Sequence, residues 1–331
     1  MVNVEIDISD KTLNDYDVLR DACGLVSLPN HSLISIKGED RKGWLQGQAT
    51  NDLRKLEPGA SSEFCLTTVT GHLMTVCESW AVQDFILLTC PTSTVPDLLN
   101  RVEQMVILED VVAEDVSSKY RLLSIQGPTA TQQLTSIVAL PSLDAGEATL
   151  KDATVYCLRS NRTGLGGWDI WVPTEHQEVI DFLIASFPSI GEPAYNIARL
   201  EAGIPEFGTD MGEKTFPPEM GSQFESRHVS YTKGCYMGQE VLMRIHSRGH
   251  TNKTWVGLVS EHKIEVGATI KHLNRADAGV VTSSGFSPDF GHIAAAMVRN
   301  EAAFEAEQVE VTLEGHSVVA EVKMMPFLRL G

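Results

Sequence analysis

Several things are missing from this chain. No C-x-x-C pair occurs, so neither a zinc ribbon nor a thioredoxin-type redox site is supported. No stretch reaches the roughly 18 consecutive apolar residues that a membrane-crossing helix takes. Cations are scarce: 26 Lys and Arg stand against 44 Asp and Glu, a formal net charge of −18. A surface that acidic argues against general nucleic-acid binding, because phosphate contacts need Lys and Arg. There is no G-x-S-x-G elbow and no P-loop. Gly164-Leu165-Gly166-Gly167 is not a dinucleotide fingerprint either, since Asp169 stands where the third glycine would be.

What is present describes an ordinary globular protein, with 43% hydrophobic and 21% charged residues. At 331 residues the chain is too long for one small core, which implies two or three packed units. The start, Met1 to Asp7, is acidic and lacks a basic region or apolar core, so no secretory signal or transit peptide is expected. Six scattered cysteines (Cys23, Cys65, Cys77, Cys90, Cys157, Cys235) then fit a reducing cytoplasm, where the sequons at Asn30, Asn161 and Asn252 carry no meaning.

Residues 33–37 read as a strand, followed by a short helix with Asp40 as its N-cap and Trp44 and Leu45 inside. Phe64 to Trp80 and Phe85 to Leu88, broken at Thr70-Gly71 and Gln83-Asp84, read as antiparallel strands. Asp97 to Ile107 has helical spacing. Tyr120 to Ile125 is a strand, a helix begins at Gly127-Pro128, and Trp168 to Val172 is a further strand. Thr174 with Gln177 predicts a capping box. Pro193 to Ala202 predicts a helix stopped by Gly203. In the tail Val309, Val311 and Leu313 alternate with polar residues, turn through Glu314-Gly315, and return as Val318, Ala320 and Val322. Strands and helices mingle before about residue 250, which favours α+β over a parallel sheet. Residues 1–251 are expected to form an α+β region of two intertwined subdomains, and 252–331 a small all-β domain.

The densest chemistry lies in Lys233-Gly234-Cys235-Tyr236-Met237-Gly238-Gln239-Glu240. Glycines four apart suggest a sharp turn or a close approach. The lysine beside the thiol would favour thiolate, the reactive form of cysteine. The bland reading, a buried and inert Cys in a Gly-rich turn, stays open beside it. Residues 227–253 carry Arg227, Lys233, Arg244, Arg248 and Lys253 against Glu240, a basic island that suits a small anionic ligand or is merely a solvated face. His246-x-x-x-His250 has ligand spacing, but Gly249 interrupts it and no acidic partner is near, so no metal is expected. A second candidate is Arg199-Leu200-Glu201-Ala202-Gly203-Ile204-Pro205. A glutamate in a helix's last turn opposes the dipole, and a carboxylate accepts two parallel hydrogen bonds from a planar N–C–N edge. The alternative is a surface Arg–Glu pair.

These residues, with Gly208-Thr209-Asp210, Pro218-Glu219 and Arg244, resemble the folate-binding YgfZ family, a relative of the T-protein (aminomethyltransferase) of the glycine cleavage system. The resemblance extends to Gly38-Glu39-Asp40, Trp44 to Asp52, Gly127-Pro128 and Gly279 to Ser284, nearly the whole chain; the octapeptide is its specific part. It implies a three-lobed aminomethyltransferase-like fold around a tetrahydrofolate site, with a C-terminal antiparallel β-barrel. It also implies a role in assembling or repairing iron–sulfur enzymes, in which Cys235 is the working thiol. Glu201 would hold the pterin's aminopyrimidine edge, with Arg199, Lys233, Tyr236 and Gln239 shaping the site and Arg244 facing the anionic part of the folate.

One departure separates the two relatives. The T-protein has paired Asp residues shortly after a Gly-rich turn, where this chain has Thr75 and Val76 after Gly71. Neither is a general base, so aminomethyl transfer is not expected. Thr70 also replaces a commoner Gln before Gly71. A folate-dependent aminomethyltransferase and a non-catalytic folate-binding scaffold are the alternatives. Folate and iron–sulfur proteins are the implied partners, in a cytoplasmic setting without nucleic acid or membrane.

Overall fold

A computed structural model describes residues 8–327 except 250 and 274. The acidic start, Met1 to Asp7, and His250 of the histidine pair lie outside the described residues. Helix α1 (Asp10–Asp21) leads into β1 (Gly24–Val26), β2 (His31–Lys37) and α2 (Arg41–Gln48). Strands β3 (Ser61–Thr67), β4 (Leu73–Val82) and β5 (Phe85–Pro91) precede α3 (Val95–Met105), β6 (Val112–Asp115) and β7 (Tyr120–Gln126). Then come α4 (Ala130–Thr135), β8 (Ala145–Leu150), β9 (Ala153–Arg159), β10 (Gly167–Pro173), α5 (Gln177–Ser186) and β11 (Ser189–Ile190). Helices α6 (Glu192–Glu201), α7 (Ser222–His228) and α8 (Gln239–Arg248) lead to the last part of the chain. That part is all β: β12 (Lys253–Ser260), β13 (Thr269–His272), β14 (Arg275–Ser287), β15 (Gly291–Arg299), β16 (Gln308–Leu313) and β17 (His316–Lys323).

The strands form three units, each with its own core. One is a five-stranded sheet in the order β3-β4-β5-β2-β6, whose inner face packs Ile34, Phe64 and Leu88 against Leu45 of α2 and Leu98 of α3. The second is a six-stranded sheet in the order β11-β1-β7-β10-β9-β8, covered by α4 and α5 through Leu134 and Leu183. The third is a closed antiparallel barrel, β12-β15-β14-β13-β16-β17, filled by small and β-branched side chains such as Ala294, Ala296 and Val298. Closure removes the free edges such strands would otherwise expose. A junction cluster of Cys65, Leu73, Leu200, Met211, Phe224, Trp255 and Ile293 joins strand β3, helices α6 and α7, and the barrel. The fold is thus the three-lobed α+β arrangement with a barrel at its end.

Two caps differ from the sequence expectation. Asp40 sits at the N-cap of α2, yet its carboxylate accepts from the Asp110 backbone at 2.9 Å instead of capping the helix. Thr174 makes no box with Gln177: its hydroxyl donates to the Lys119 carbonyl at 3.3 Å, while Gln177 turns to Asp181. In both cases a tertiary partner outcompetes the local cap.

Candidate functional site

A cavity of about 440 Å³ opens where β4, β5, α6, α7 and the loop after β9 converge. Side chains on a strand alternate between its faces, so Val76 and Glu78 of β4 share the face that lines it. The register places Glu63 of β3 directly opposite Glu78, which brings two carboxylates to one wall. Each has its own guanidinium. Arg227 pairs with Glu63, and Arg162 lies 2.8 Å from Glu78 Oε2. Arg162 is itself pinned by the fully buried Asp169 at 2.5 Å. Burial pushes the Glu78 carboxyl up to about 7 against the pull of Arg162, with Glu63 adding to the rise.

The same burial acts on the neighbours. It draws His31 down to about 3 and lowers His228, and it raises the Tyr195 phenol to about 12. His31, Arg162 and Gln223 line the cavity, and His31 Nδ1, Arg162 Nε and Gln223 Oε1 have no hydrogen-bond partner among the described residues. Buried polar atoms are normally satisfied, so three orphans around one hollow fit a ligand carrying complementary heteroatoms. The volume suits a small-molecule site.

The octapeptide forms a separate structure, ahead of α8. Lys233 is buried, and its ammonium donates to the carbonyls of Gln46, Ala49 and Asn51 at 2.6, 2.5 and 2.9 Å. It therefore anchors the loop to the C-terminal end of α2. No hydrogen bond or ion pair joins it to Cys235 among the described residues, so the expected activation of the thiol by Lys233 gives way to an anchoring role. Burial draws the ammonium down to about 8. Tyr236 is buried, with the Lys233 ammonium 5.1 Å from its ring centre. Thr67 donates to the Met237 carbonyl at 2.6 Å. Gly238 adopts φ +82°, and a Cβ there would lie 2.6 Å from the Thr68 carbonyl oxygen, so this glycine is required. Gly234, by contrast, has open space and no such requirement. Gln239 reaches back to the Lys233 and Gly234 carbonyls at 3.4 Å. Cys235 is exposed, the other five cysteines are buried, and burial raises every one of those five thiols.

Other predicted site residues are placed differently from the sequence expectation. Glu201 is fully buried but does not line the cavity. Its carboxylate accepts from Tyr16 at 3.0 Å and from Ser287 at 2.6 Å, with Arg20 3.6 Å away, linking α6 to α1 and the end of β14. Arg199 does reach the cavity wall, yet its guanidinium is bound to Asp210 at 2.8 Å and Ser283 at 3.0 Å. Arg244 is exposed and paired with Glu240 at 3.0 Å, away from the cavity. The basic island is not one patch: Arg227 faces the cavity, Lys233 is buried, and Lys253 lies 3.7 Å from Glu219. His246 stacks on Tyr231 at 3.7 Å, and no metal-holding group of three occurs among the described residues. The sequence reading did not single out Glu63, Glu78, Arg162, Tyr195 or Glu206. The available signal was a glutamate two residues after Val76, on the same face of an otherwise largely apolar strand.

Residues 5–227 match the GCVT N-terminal domain, and residues 253–328 match the glycine cleavage T-protein C-terminal barrel domain. Neither match includes the stretch holding the octapeptide. The aminomethyltransferase of Listeria monocytogenes serotype 4b (strain F2365) is 27% identical, with 95% of this chain and 89% of the relative covered. That of Chromobacterium violaceum (strain ATCC 12472) is 30% identical, with 96% and 89% covered. The solved glycine cleavage system aminomethyltransferase T from Bartonella henselae has the same fold. Its TM-score is 0.82 at 21% identity, covering 96% of this chain and 89% of that one.

Proposed function

Because the chain belongs to the glycine cleavage T-protein family, whose cofactor is tetrahydrofolate, we propose that it is a YgfZ-like member. In this reading it binds tetrahydrofolate in the central cavity and supports assembly or repair of iron–sulfur enzymes through Cys235. The observation that carries this reading is the construction of the octapeptide. Lys233, Tyr236, Met237 and Gly238 are all committed to inward contacts, and together they anchor a loop that displays one thiol. A cysteine kept only for packing would sit inside, as the other five do. Thr75 supports the same reading: it is fully buried, hydrogen-bonded to Thr94 at 2.7 Å, and offers the cavity no acid.

When bound, tetrahydrofolate supplies a ring nitrogen that carries a one-carbon unit. The chain's own residues do the holding: Glu63, Glu78 and Glu206 offer acceptors to N–H groups, while Arg227 and Arg162 orient the first two. Val76, Met211 and Phe224 line apolar parts of the wall. The test is complementation of cells lacking the protein. Cys235→Ser is expected to leave iron–sulfur enzyme activity near the uncomplemented level; wild-type activity would discard the thiol's role.

Aminomethyl transfer is the second reading. It is favoured by the relatives named above and by Glu78, a carboxylate on the same strand as Thr75 and Val76. Folate-dependent amine release from an aminomethyl-lipoyl carrier, at the rate of a T-protein, would make it the first.

A further inference from the structure

We propose that strand β6 is an association surface through which two copies of this chain pair edge to edge, antiparallel and centred on Ala113. The inference stands apart from what the central cavity binds. β6 is the last strand of its sheet and pairs with β2 alone. Outside that ladder, no backbone hydrogen bond involves residues 112–115 among the described residues. A strand edge with unpaired N–H and C=O groups is a template for a further strand. The approach to this edge is apolar: Ile107 is 82% and Leu108 94% exposed, and Met105 and Val112 are exposed as well. The loop carrying them is firmly built. The Glu109 carboxylate accepts from the amides of Ile107 and Leu108 at 3.0 and 3.1 Å. The Asp110 carboxylate accepts from the Glu39 amide at 2.9 Å, and the Asp110 amide donates to Asp40 at 2.9 Å. A loop tied this closely that still holds two aliphatic side chains in water marks a contact surface.

The charges on the strand favour a second copy as the occupant and select the register. A two-fold contact sets the same patch against itself. Directly opposite residues point to the same face of a sheet, so the centre of such a pairing falls on a residue and not between two. Centring on Glu114 or Asp115 sets a carboxylate against its own copy, and centring on Val112 sets Glu114 against Asp110. Like charges directly opposite are destabilising. Centring on Ala113 sets Ala113 against Ala113, Val112 against Glu114 and Val111 against Asp115, with no like charges opposed. It is the one centre among the four strand residues that does so. Each chain carries a formal charge of −18, so long-range repulsion opposes the contact and salt screens it.

The experiment is sedimentation velocity on the full chain at about 0.15 M salt, from about 1 to about 300 µM protein. Wild type is expected to dimerise with a Kd of about 10–100 µM, weak because the shared ladder is short. Leu108→Glu changes an exposed side chain, so the fold should survive, and it should weaken the dimer at least about tenfold. The register is read by cross-linking in a Cys235→Ser background. With oxidised glutathione as oxidant, Ala113→Cys should join two copies by a disulfide. Val112→Cys, which faces Glu114 in this pairing, should join no more than the background chain. Wild type that stays monomeric throughout overturns the proposal, whatever other strand the edge then accepts. A dimer that Leu108→Glu leaves intact overturns it too. Cross-linking by both cysteine variants alike, or by neither, overturns the pairing centred on Ala113.

Discussion

The ammonium of Lys233 lies 2.5 Å from the carbonyl oxygen of Ala49, across 184 residues of chain. With Gln46 and Asn51 it gives one cation three acceptors at a helix end, where carbonyls have no intrahelical donor and a positive charge is favoured. Lys233→Met keeps the stem but strands those carbonyls. A loss of about 2–4 kcal/mol in unfolding free energy is expected, measured by urea denaturation. A change below about 0.5 kcal/mol would show that water satisfies the carbonyls instead.

The exposure of Cys235 makes a simple thiol count decisive. In the native state a disulfide-exchange reagent should titrate one thiol quickly and the remaining five only after unfolding. Cys235→Ser should abolish the fast phase and leave unfolding free energy within about 0.5 kcal/mol of wild type. A second fast thiol would mean that one of the buried sites opens readily.

The barrel hairpin was legible because every signal in it is local. Val309 and Val311 alternate with polar residues, and Glu314-Gly315 both take positive φ, the backbone of a two-residue turn. The lobes before it were not, since Leu25 pairs with Ser189 on one side and Ile125 on the other, contacts that no window of sequence contains. The octapeptide showed its chemistry but not its wiring: Lys233 looked like a partner for the adjacent thiol and instead serves α2. Glu78 was hidden for the opposite reason. Alternation puts it on one face with Val76, but only the packing of α6 and α7 makes that face the wall of a cavity.

Arg199 and Asp210 form a buried pair at 2.8 Å that ties α6 to the barrel, with Asp210 also accepting from Thr282 and Ser283 at 2.6 and 2.7 Å. Removing one member of such a pair leaves an uncompensated charge, so Arg199→Met should cost about 3–5 kcal/mol. Adding Asp210→Asn should recover much of that loss. If the double variant is no more stable than Arg199→Met, the guanidinium's other bonds, to Asn196, Ile204 and Ser283, are what matters.

Glu78 also sets a pH dependence whose sign is fixed. Its folded pKa of about 7 lies above the ordinary 4.5. Between those values the folded chain keeps a proton that the unfolded chain has released. The stability it contributes is complete below the ordinary value and is lost as pH rises through about 7. Burial is the main cause. Of the charges facing it, Glu63 and Asp169 push the same way, while Arg162 and Arg227 oppose. Glu78→Gln cannot titrate, so the wild-type advantage over the variant in unfolding free energy should shrink from about pH 5 to about pH 8, measured by urea denaturation at steps between. An advantage that grows with pH would mean that Arg162 overcomes burial and holds the carboxylate ionised throughout.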